Sequence, residues 1–530
     1  MAAVKAWKLD DPDAPPFPDD FEVVQKAVLQ VTDIKSNHNK YYAIEVHSGG
    51  SRYRVFTHYG RTDDLENDPD AGQKENRFFD TLAEAQATYQ SIYREKTSPR
   101  KGYKELSLAS SRIGSSKARG SSSGHIDDAT IEKARAAQAA IEKAKAPVAP
   151  APVEAPAPPP PAPPPPPATF GQKLKGLMGK VLGSAPAEVA APAPPPEPVA
   201  FDPASPIHPR LSELVEYVYA EATSALTTTV AAKITAQGIE TPLGILTLGQ
   251  IQKGEAILQE LYALFQKKRR SRGDLERLTG EFYTVVPHRI GRTRAAVEAA
   301  VIDSMEAFEQ KQETLQLMKD MLQVNGEGNV LFHSQAHAQY QALHCDLRWV
   351  DPASPTFAEI RDHVVRSQVK SRSIQVKQVF TLRRPGEAEA FAEQVGNLRL
   401  LFHGSRIRNW VGILSRGILL PKIVVSMGVN RTDAGWLGNG IYFGDAACTS
   451  AFYTSPGRKG TRLMALARVA LGKMKDYDKI TYGLAGPPAG FDSCHGVRHT
   501  LLRPSQFADD EYVVYETRQQ KLEYLVEFTA

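Results

Sequence analysis

Cysteine is scarce in this 530-residue chain: Cys345, Cys448 and Cys494 stand far apart and form no metal-ligand spacing. That excludes a disulfide framework and a cysteine-built zinc site, and it fits a reducing interior. No metal is expected. A phosphate-binding G-x-x-x-x-G-K-[ST] loop is missing. The glycines at 435, 438, 440 and 444 do not keep the G-x-G-x-x-G spacing of a dinucleotide loop, nor do a strand, glycine turn and helix occur in the order such a loop requires. Apolar runs of membrane-spanning length are absent, and MAAVKAWKLDDPDAP lacks the basic-then-apolar pattern of a signal peptide. An intracellular protein without a membrane partner is expected. Excess charge is small: the net value is +4, with 42% hydrophobic and 23% charged residues. This is ordinary for soluble globular protein and gives only weak support for nucleic-acid binding.

What is present divides the chain into four segments. Residues 20–108 form a small α+β unit. Tyr41–Val46 and Tyr53–Phe56 are strand-like about the turn Ser48-Gly49-Gly50, and Thr81 to Tyr93 has helical periodicity. Residues 109–205 change character, with 19 of the 38 prolines between Pro147 and Pro198. Such composition cannot bury enough apolar surface to fold, so a disordered Ala/Pro-rich linker is expected. Within it, Ala129 to Lys145 suits a lone Ala-rich helix. FGQKLKGLMGKVLG suits either a basic partner helix or an interruption of the proline tract.

Residues 206–330 read as an all-α helical bundle, with helical periodicity over Leu211–Leu226, Leu248–Phe265 and Ala295–Met321. The basic cluster Lys267, Lys268, Arg269, Arg270 and Arg272 is either a nuclear-import signal or a solvated interhelical loop. Residues 335–530 are mixed α+β, with strands expected over 374–382, 398–403, 440–443, 462–471, 512–515 and 524–528.

The chemistry concentrates between Leu401 and Thr454. A strand ends in His403-Gly404-Ser405, a helix carries Trp410, Ile413 and Leu414, and glycines surround the strand Ile441-Tyr442-Phe443 ahead of a helix with Ser450 and Tyr453. Glycines at that density mark close approach of backbone to a ligand. A flat ligand held between tyrosines and bonded by backbone amides would suit the pattern.

HGSRIRNWVGILSRGI, GNGIYFGD, SAFY and the late EYVVYE resemble the catalytic domain of the poly(ADP-ribose) polymerase family. NKYYAIEV and FTHYGR are similar to that family's WGR domain, with Tyr59-Gly60-Arg61 standing where Trp-Gly-Arg gives the domain its name. TPLGILTLGQIQKGEAIL and EFYTVVPH resemble its helical regulatory domain. The resemblance implies NAD as donor substrate, and a catalytic His403, Tyr442 and Glu511. The Gly404 backbone and Ser450 hydroxyl would hold the nicotinamide carboxamide between Tyr442 and Tyr453. His403, with Ser405 and Asn409, would hold the adenine-side ribose, and Glu511 would bond the nicotinamide ribose and polarise the acceptor.

It further implies a first domain that meets DNA ends or nicks through Tyr59, Gly60 and Arg61, and a helical domain that blocks the donor site until DNA loosens it. The acceptors would be proteins, the chain itself included. The compartment would be nuclear in a eukaryote and cytoplasmic or nucleoid in a bacterium. Thr449 occupies a position where many members carry lysine. The leading expectation is DNA-break-stimulated poly-ADP-ribosyl transfer in repair; the alternatives are single-unit transfer and a catalytically silent DNA-binding scaffold.

Overall fold

A computed structural model describes residues 4–115, 207–230, 232–235, 238–267, 269–288, 290–291, 293–325, 336–368, 373–420 and 435–530. Most of the Ala/Pro-rich segment, with its two helix expectations, and Lys268 of the basic cluster lie outside the described residues.

The first unit is a six-stranded antiparallel sheet: β1 (Trp7–Lys8), β2 (Glu22–Asp33), β3 (His38–Gly49), β4 (Arg52–Arg61), β5 (Gln73–Phe79) and β6 (Lys104–Glu105), in the order β1-β5-β4-β3-β2-β6. The sheet therefore takes in residues ahead of the expected boundary at 20. The β3–β4 turn falls at Gly50, whose φ of +65° only glycine adopts freely. Helix α1 (Leu82–Thr97) starts where the Thr81 hydroxyl accepts a bond from the Glu84 amide, and it buries Ala85 and Tyr89 against Leu29, Ile44, Val46 and Val55.

The helical region differs from an all-α bundle. Strand β7 (Leu108–Ser111) leaves the first unit and, after α2 (Pro209–Val230), is joined by β8 (Lys233–Thr235), β9 (Gly238–Thr241) and β10 (Gly244–Leu246) in a sheet of order β7-β10-β9-β8. Helices α3 (Leu248–Phe265) and α4 (Arg272–Val285) follow; of the basic cluster, Lys267, Arg269 and Arg270 are exposed in the loop between them and Arg272 is exposed at the start of α4. The single helix expected over 295–321 is two, α5 (Arg294–Ala299) and α6 (Met305–Asn325). The break is built by side chains: Thr279 Oγ1 accepts from the Ile302 amide at 3.1 Å, Arg272 pairs with Asp303 at 3.0 Å, and Ser304 Oγ accepts from the Ala307 amide at 3.2 Å.

Buried polar groups join the first unit to these helices. Gln250 accepts from the Ser107 amide at 3.0 Å and donates to the Val285 carbonyl at 2.9 Å. The Thr32 amide donates to Thr284 Oγ1 at 2.8 Å. At Gly280 the β2 backbone comes so near that a Cβ would sit 2.6 Å from the Thr32 carbonyl oxygen.

After α7 (Ala336–Gln341) the chain forms β11 (Asp346–Trp349), α8 (Pro355–Arg366), β12 (Gln375–Arg383), α9 (Glu387–Ala390), β13 (Leu398–Gly404), α10 (Trp410–Arg416), β14 (Ile441–Gly444), α11 (Ala447–Ala451), β15 (Arg462–Ala470), β16 (Met474–Tyr477), β17 (Ser493–Gly496), β18 (Glu511–Val514) and β19 (Gln520–Thr529). All six expected strands are present, with β11, β16 and β17 in addition. They make one nine-stranded sheet, β11-β12-β19-β15-β13-β14-β18-β17-β16.

Every neighbouring pair of strands shares at least three residue pairs except in the middle, where β13 and β14 share the one pair Phe402↔Gly444. There the sheet splays. One apolar core runs from α2, α3, α4 and α6 through to Trp410, Leu414 and the strands behind them.

Gly280→Ala should lower the melting temperature, because overpacking against rigid backbone costs about 1–3 kcal/mol and the better helix propensity of alanine returns at most about 1 kcal/mol. Hydrogen exchange should quicken first in β2 and α4; unchanged melting and exchange would show that this contact does not bind the two units together.

Candidate active site

The splay between β13 and β14 opens into a cavity of about 650 Å³. His403, Gly404, Ser405, Asn409, Tyr442, Ser450, Tyr453 and Glu511 all line it, so every catalytic and donor-site residue expected from the sequence meets in one place.

Local packing explains their positions. His403 is the penultimate residue of β13, and its Nδ1 lies 3.0 Å from the Tyr442 carbonyl oxygen. A carbonyl can only accept, so the proton sits on Nδ1 and Nε2 keeps a lone pair. Burial lowers the imidazole pKa and keeps the ring neutral. Gly404 follows because α11 presses on the strand: a Cβ there would lie 1.9 Å from the Ser450 carbonyl oxygen. Tyr442 is fixed at its far end, its hydroxyl donating to the Gly438 carbonyl at 2.7 Å and accepting from the Leu437 amide at 2.9 Å. Gly435, at φ +71°, leaves that hydroxyl room. Asn409 Nδ2 donates to Ser405 Oγ at 3.2 Å. Tyr453 lies just past the end of α11 and is 60% exposed, a ring face open to a ligand.

Glu511 opens β18, opposite Gly444 of β14, and is 8% exposed. Burial, with a smaller contribution from the Asp509 charge, pushes its carboxyl up to about 7. Asp445, at the end of the neighbouring turn, is raised to about 6 by burial in spite of Arg498.

The cavity has a second wall that the sequence reading did not assign. Helix α6 contributes Glu309, Glu313 and Asp320 from one face. Glu313 pairs with Arg406 at 2.8 Å and Arg408 at 2.5 Å, and Asp320 grips Arg416 at 2.7 and 2.9 Å. Acidic residues at 309, 313 and 320 fall at helical spacing and were visible as a stripe. Alone, such a stripe reads as a solvated face; its arginine partners lie about 90 residues onward, beyond any local pattern.

Tyr59, Gly60 and Arg61 sit together at the end of β4 in the first unit and line no part of this cavity. The Tyr59 ring stacks on Tyr42 with centroids 5.0 Å apart, and its hydroxyl lies 2.8 Å from Glu75 Oε1. Arg61 donates to the Asn37 carbonyl at 3.2 Å and to Asp63 at 3.1 Å.

Comparison with known proteins agrees with this architecture. Residues 25–109 match the WGR domain, residues 205–328 the poly(ADP-ribose) polymerase regulatory domain, and residues 354–530 the poly(ADP-ribose) polymerase catalytic domain. The chain is 37% identical over 319 residues to the protein mono-ADP-ribosyltransferase PARP4 of Mus musculus, covering 60% of this chain and 15% of that protein. It is 32% identical over 289 residues to poly [ADP-ribose] polymerase 2-A of Oryza sativa subsp. japonica (52% and 42%), and 29% identical over 324 residues to the protein mono-ADP-ribosyltransferase PARP3 of Gallus gallus (54% and 58%). The matches thus span less than two thirds of each of these relatives. With its three domains in this order, the chain belongs to the poly(ADP-ribose) polymerase family.

The raised Glu511 carboxyl predicts a cost in stability. From about pH 4.3, where an unfolded glutamate ionises, to about 7, the unfolded chain has released a proton that the folded chain retains. Stability therefore falls as pH rises through this window, by on the order of 2–3 kcal/mol. Glu511→Gln should melt about 5 °C above the parent at pH 8.5, with the gap shrinking toward pH 5. A gap that does not change with pH would remove the buried-charge account.

Proposed function

We propose that the chain transfers ADP-ribose from NAD to protein acceptors, itself included, under the control of DNA ends bound by its first domain. The observation that carries this reading is the convergence of His403, Gly404, Tyr442, Ser450, Tyr453 and Glu511 on one cavity.

Nicotinamide lies between the Tyr442 and Tyr453 rings, its carboxamide bonded to the Gly404 backbone and the Ser450 hydroxyl. The bare Nε2 of His403 accepts a hydroxyl of the adenine-side ribose. Glu511 accepts a hydroxyl of the nicotinamide-side ribose and stabilises the positive charge that develops there, as a carboxylate does in glycoside hydrolysis. The acceptor oxygen bonds to C1 of that ribose, and the C1–N bond breaks with its electron pair leaving on neutral nicotinamide. The acceptor proton passes to Glu511, a general-base contribution of ~10²–10⁴ in rate. A carboxyl near 7 is poised to take that proton at neutral pH.

Helix α6 supplies the control. Its carboxylates hold Arg406, Arg408 and Arg416, of which Arg416 lines the cavity that would receive the anionic pyrophosphate. Among the described residues, with α6 in place, the lining carries Glu255, Glu309, Glu313, Asp320 and Glu511 against Arg416, a field that disfavours NAD. DNA at β4 would be felt through β2, α4 and Gln250, the polar junction between the first unit and the helices. A DNA partner also implies a nuclear location in a eukaryote and a nucleoid one in a bacterium. Extension into polymer is one outcome of the chemistry and single-unit transfer the other. Thr449, whose hydroxyl is committed to Asp509, and the mouse and chicken relatives named as mono-ADP-ribosyltransferases favour the second.

Labelled NAD with and without nicked DNA tests the reading: label should enter protein, and more of it with DNA. A chain that takes up no label is not a transferase. Without DNA, Glu313→Gln should lower KM for NAD about tenfold and raise turnover, since Arg406 and Arg408 lose their internal anion. An unchanged KM would remove α6 from the control. Arg61→Ala should weaken break binding and flatten the salt dependence by about 0.9 in the log–log slope, one counterion fewer being released. Equal affinity and slope at two salt concentrations would mean that Arg61 does not touch phosphate.

A further inference from the structure

Glu511 draws little support from its own sheet. It opens β18 with Gly444 of β14 opposite it on one side and Gly496 of β17 on the other. Side chains that face each other across a ladder steady one another, and a glycine offers none. Gly496 has no room for a side chain, since a Cβ there would lie 2.5 Å from the Phe507 ring. The support falls instead to the two residues that flank Glu511 in the chain, and one imidazole holds both. His495 of β17 is the register partner of Tyr512, and their rings stack with centroids 4.6 Å apart and planes within 3°. Its Nε2 donates to Asp510 at 2.8 Å and its Nδ1 to Asp476 of β16 at 2.9 Å. A carboxylate can only accept, so both ring nitrogens are donors.

Each grip is secured at its far end. Asp510 also accepts from the Arg498 amide at 2.9 Å. Burial pushes its carboxyl up, but the His495 bond and the Arg498 amide outweigh that and hold it below the usual carboxylate range. The Tyr512 hydroxyl accepts from Arg399 of β13 at 2.8 Å. Arg503 binds Asp476 at 3.0 Å and Asp478 at 2.7 Å, so the outer anchor of the ring is itself tied down. His495 lines no part of the cavity, whereas Glu511 does. We propose that His495 is a positioning residue for Glu511: by gripping the residues on either side, it fixes where the carboxylate points toward the nicotinamide-side ribose and the acceptor. The inference rests on the ADP-ribosyl transfer proposed above. Misplacing a reacting group by about 1 Å costs up to about a hundredfold in rate, so the grip matters to turnover more than to binding.

The full chain with labelled NAD and nicked DNA gives the test, read as kcat and KM for label uptake into protein. His495→Gln cannot donate to both carboxylates along the same line and loses the stacked ring. It should lower kcat by between about tenfold and a hundredfold. KM for NAD should stay within about twofold, since the carboxamide contacts at Gly404 and Ser450 are untouched. His495→Lys, whose ammonium has donors for both carboxylates, should return kcat to within about threefold of the parent. In a chain that already carries Glu511→Gln, His495→Gln should lower the residual uptake by less than about twofold. A residue that acts through Glu511 then has nothing left to place.

A folded His495→Gln chain with the parental kcat overturns the inference. So does an equal loss in the parental and Glu511→Gln backgrounds, which would leave His495 a structural group only, and so does a His495→Lys chain no better than His495→Gln. Should His495→Gln not fold, Asp476→Ala removes the anchor of the ring on β16 at a half-exposed position: a lower kcat at unchanged KM then supports the inference, and the parental kcat sinks it. A parent that labels no protein refutes the transferase reading itself, and the positioning inference falls with it.

Discussion

The active cavity depends on one interruption in a sheet. Eight of the nine strands in the catalytic sheet could have formed an unbroken antiparallel ladder, yet β13 and β14 touch at a single residue pair. A splayed ladder leaves backbone groups without strand partners, and such groups are costly when buried. The His403 ring meets part of that demand by donating to the Tyr442 carbonyl. The same bond fixes the imidazole tautomer, so the repair of the sheet and the orientation of the cavity-lining ring are one event. Gly404 then lets α11 crowd the gap, and β18 pairs along the other edge of β14.

Around that gap the electrostatics run against stability. The Glu511 carboxyl is pushed up to about 7 with no arginine beside it among the described residues, and Asp445, up to about 6, is neutralised only in part by Arg498. Across the cavity, α6 offers three more carboxylates, two of them on arginines. Glu313 and its partners are partly exposed, so their pairing is screened and weak. Asp320 is 3% exposed and bound by two parallel bonds, so removing Arg416 would leave a buried charge alone. The helix is therefore held by one weak clasp at the rim and one strong one deeper in.

Much of this was legible in the sequence because the signals were local. The apolar run Leu398–His403, the β-branched and aromatic Tyr442 strand, and the 18-residue periodicity of Leu248–Phe265 each lie within one window, and each element formed where expected. The residues that meet in the cavity were legible through ordered motifs separated by intact glycines. The break between α5 and α6 was not, because Val301 and Ile302 continue the helical stripe and the interruption is imposed by Thr279 and Arg272 on another helix. Strands β8, β9 and β10 are three or four residues each, too short for alternation to register, and the sheet they form is completed by β7, which arrives from the first unit to pair with β10. The role of the carboxylates on α6 escaped for the same reason: their arginine partners are distant in sequence.

The junction at Gln250 bears on how such proteins are assembled from modules. Along the chain the three domains look like beads that could be exchanged between relatives. In space, a single amide faces the first unit with its oxygen and the helical region with its nitrogen, and Gly280 admits the β2 backbone where a side chain would not fit. A transplanted first domain would have to present an N–H at the position of Ser107 and bare backbone at Thr32. The boundary between these modules is inherited as a matched surface, and a graft that ignores it would recombine two sound domains into a faulty protein.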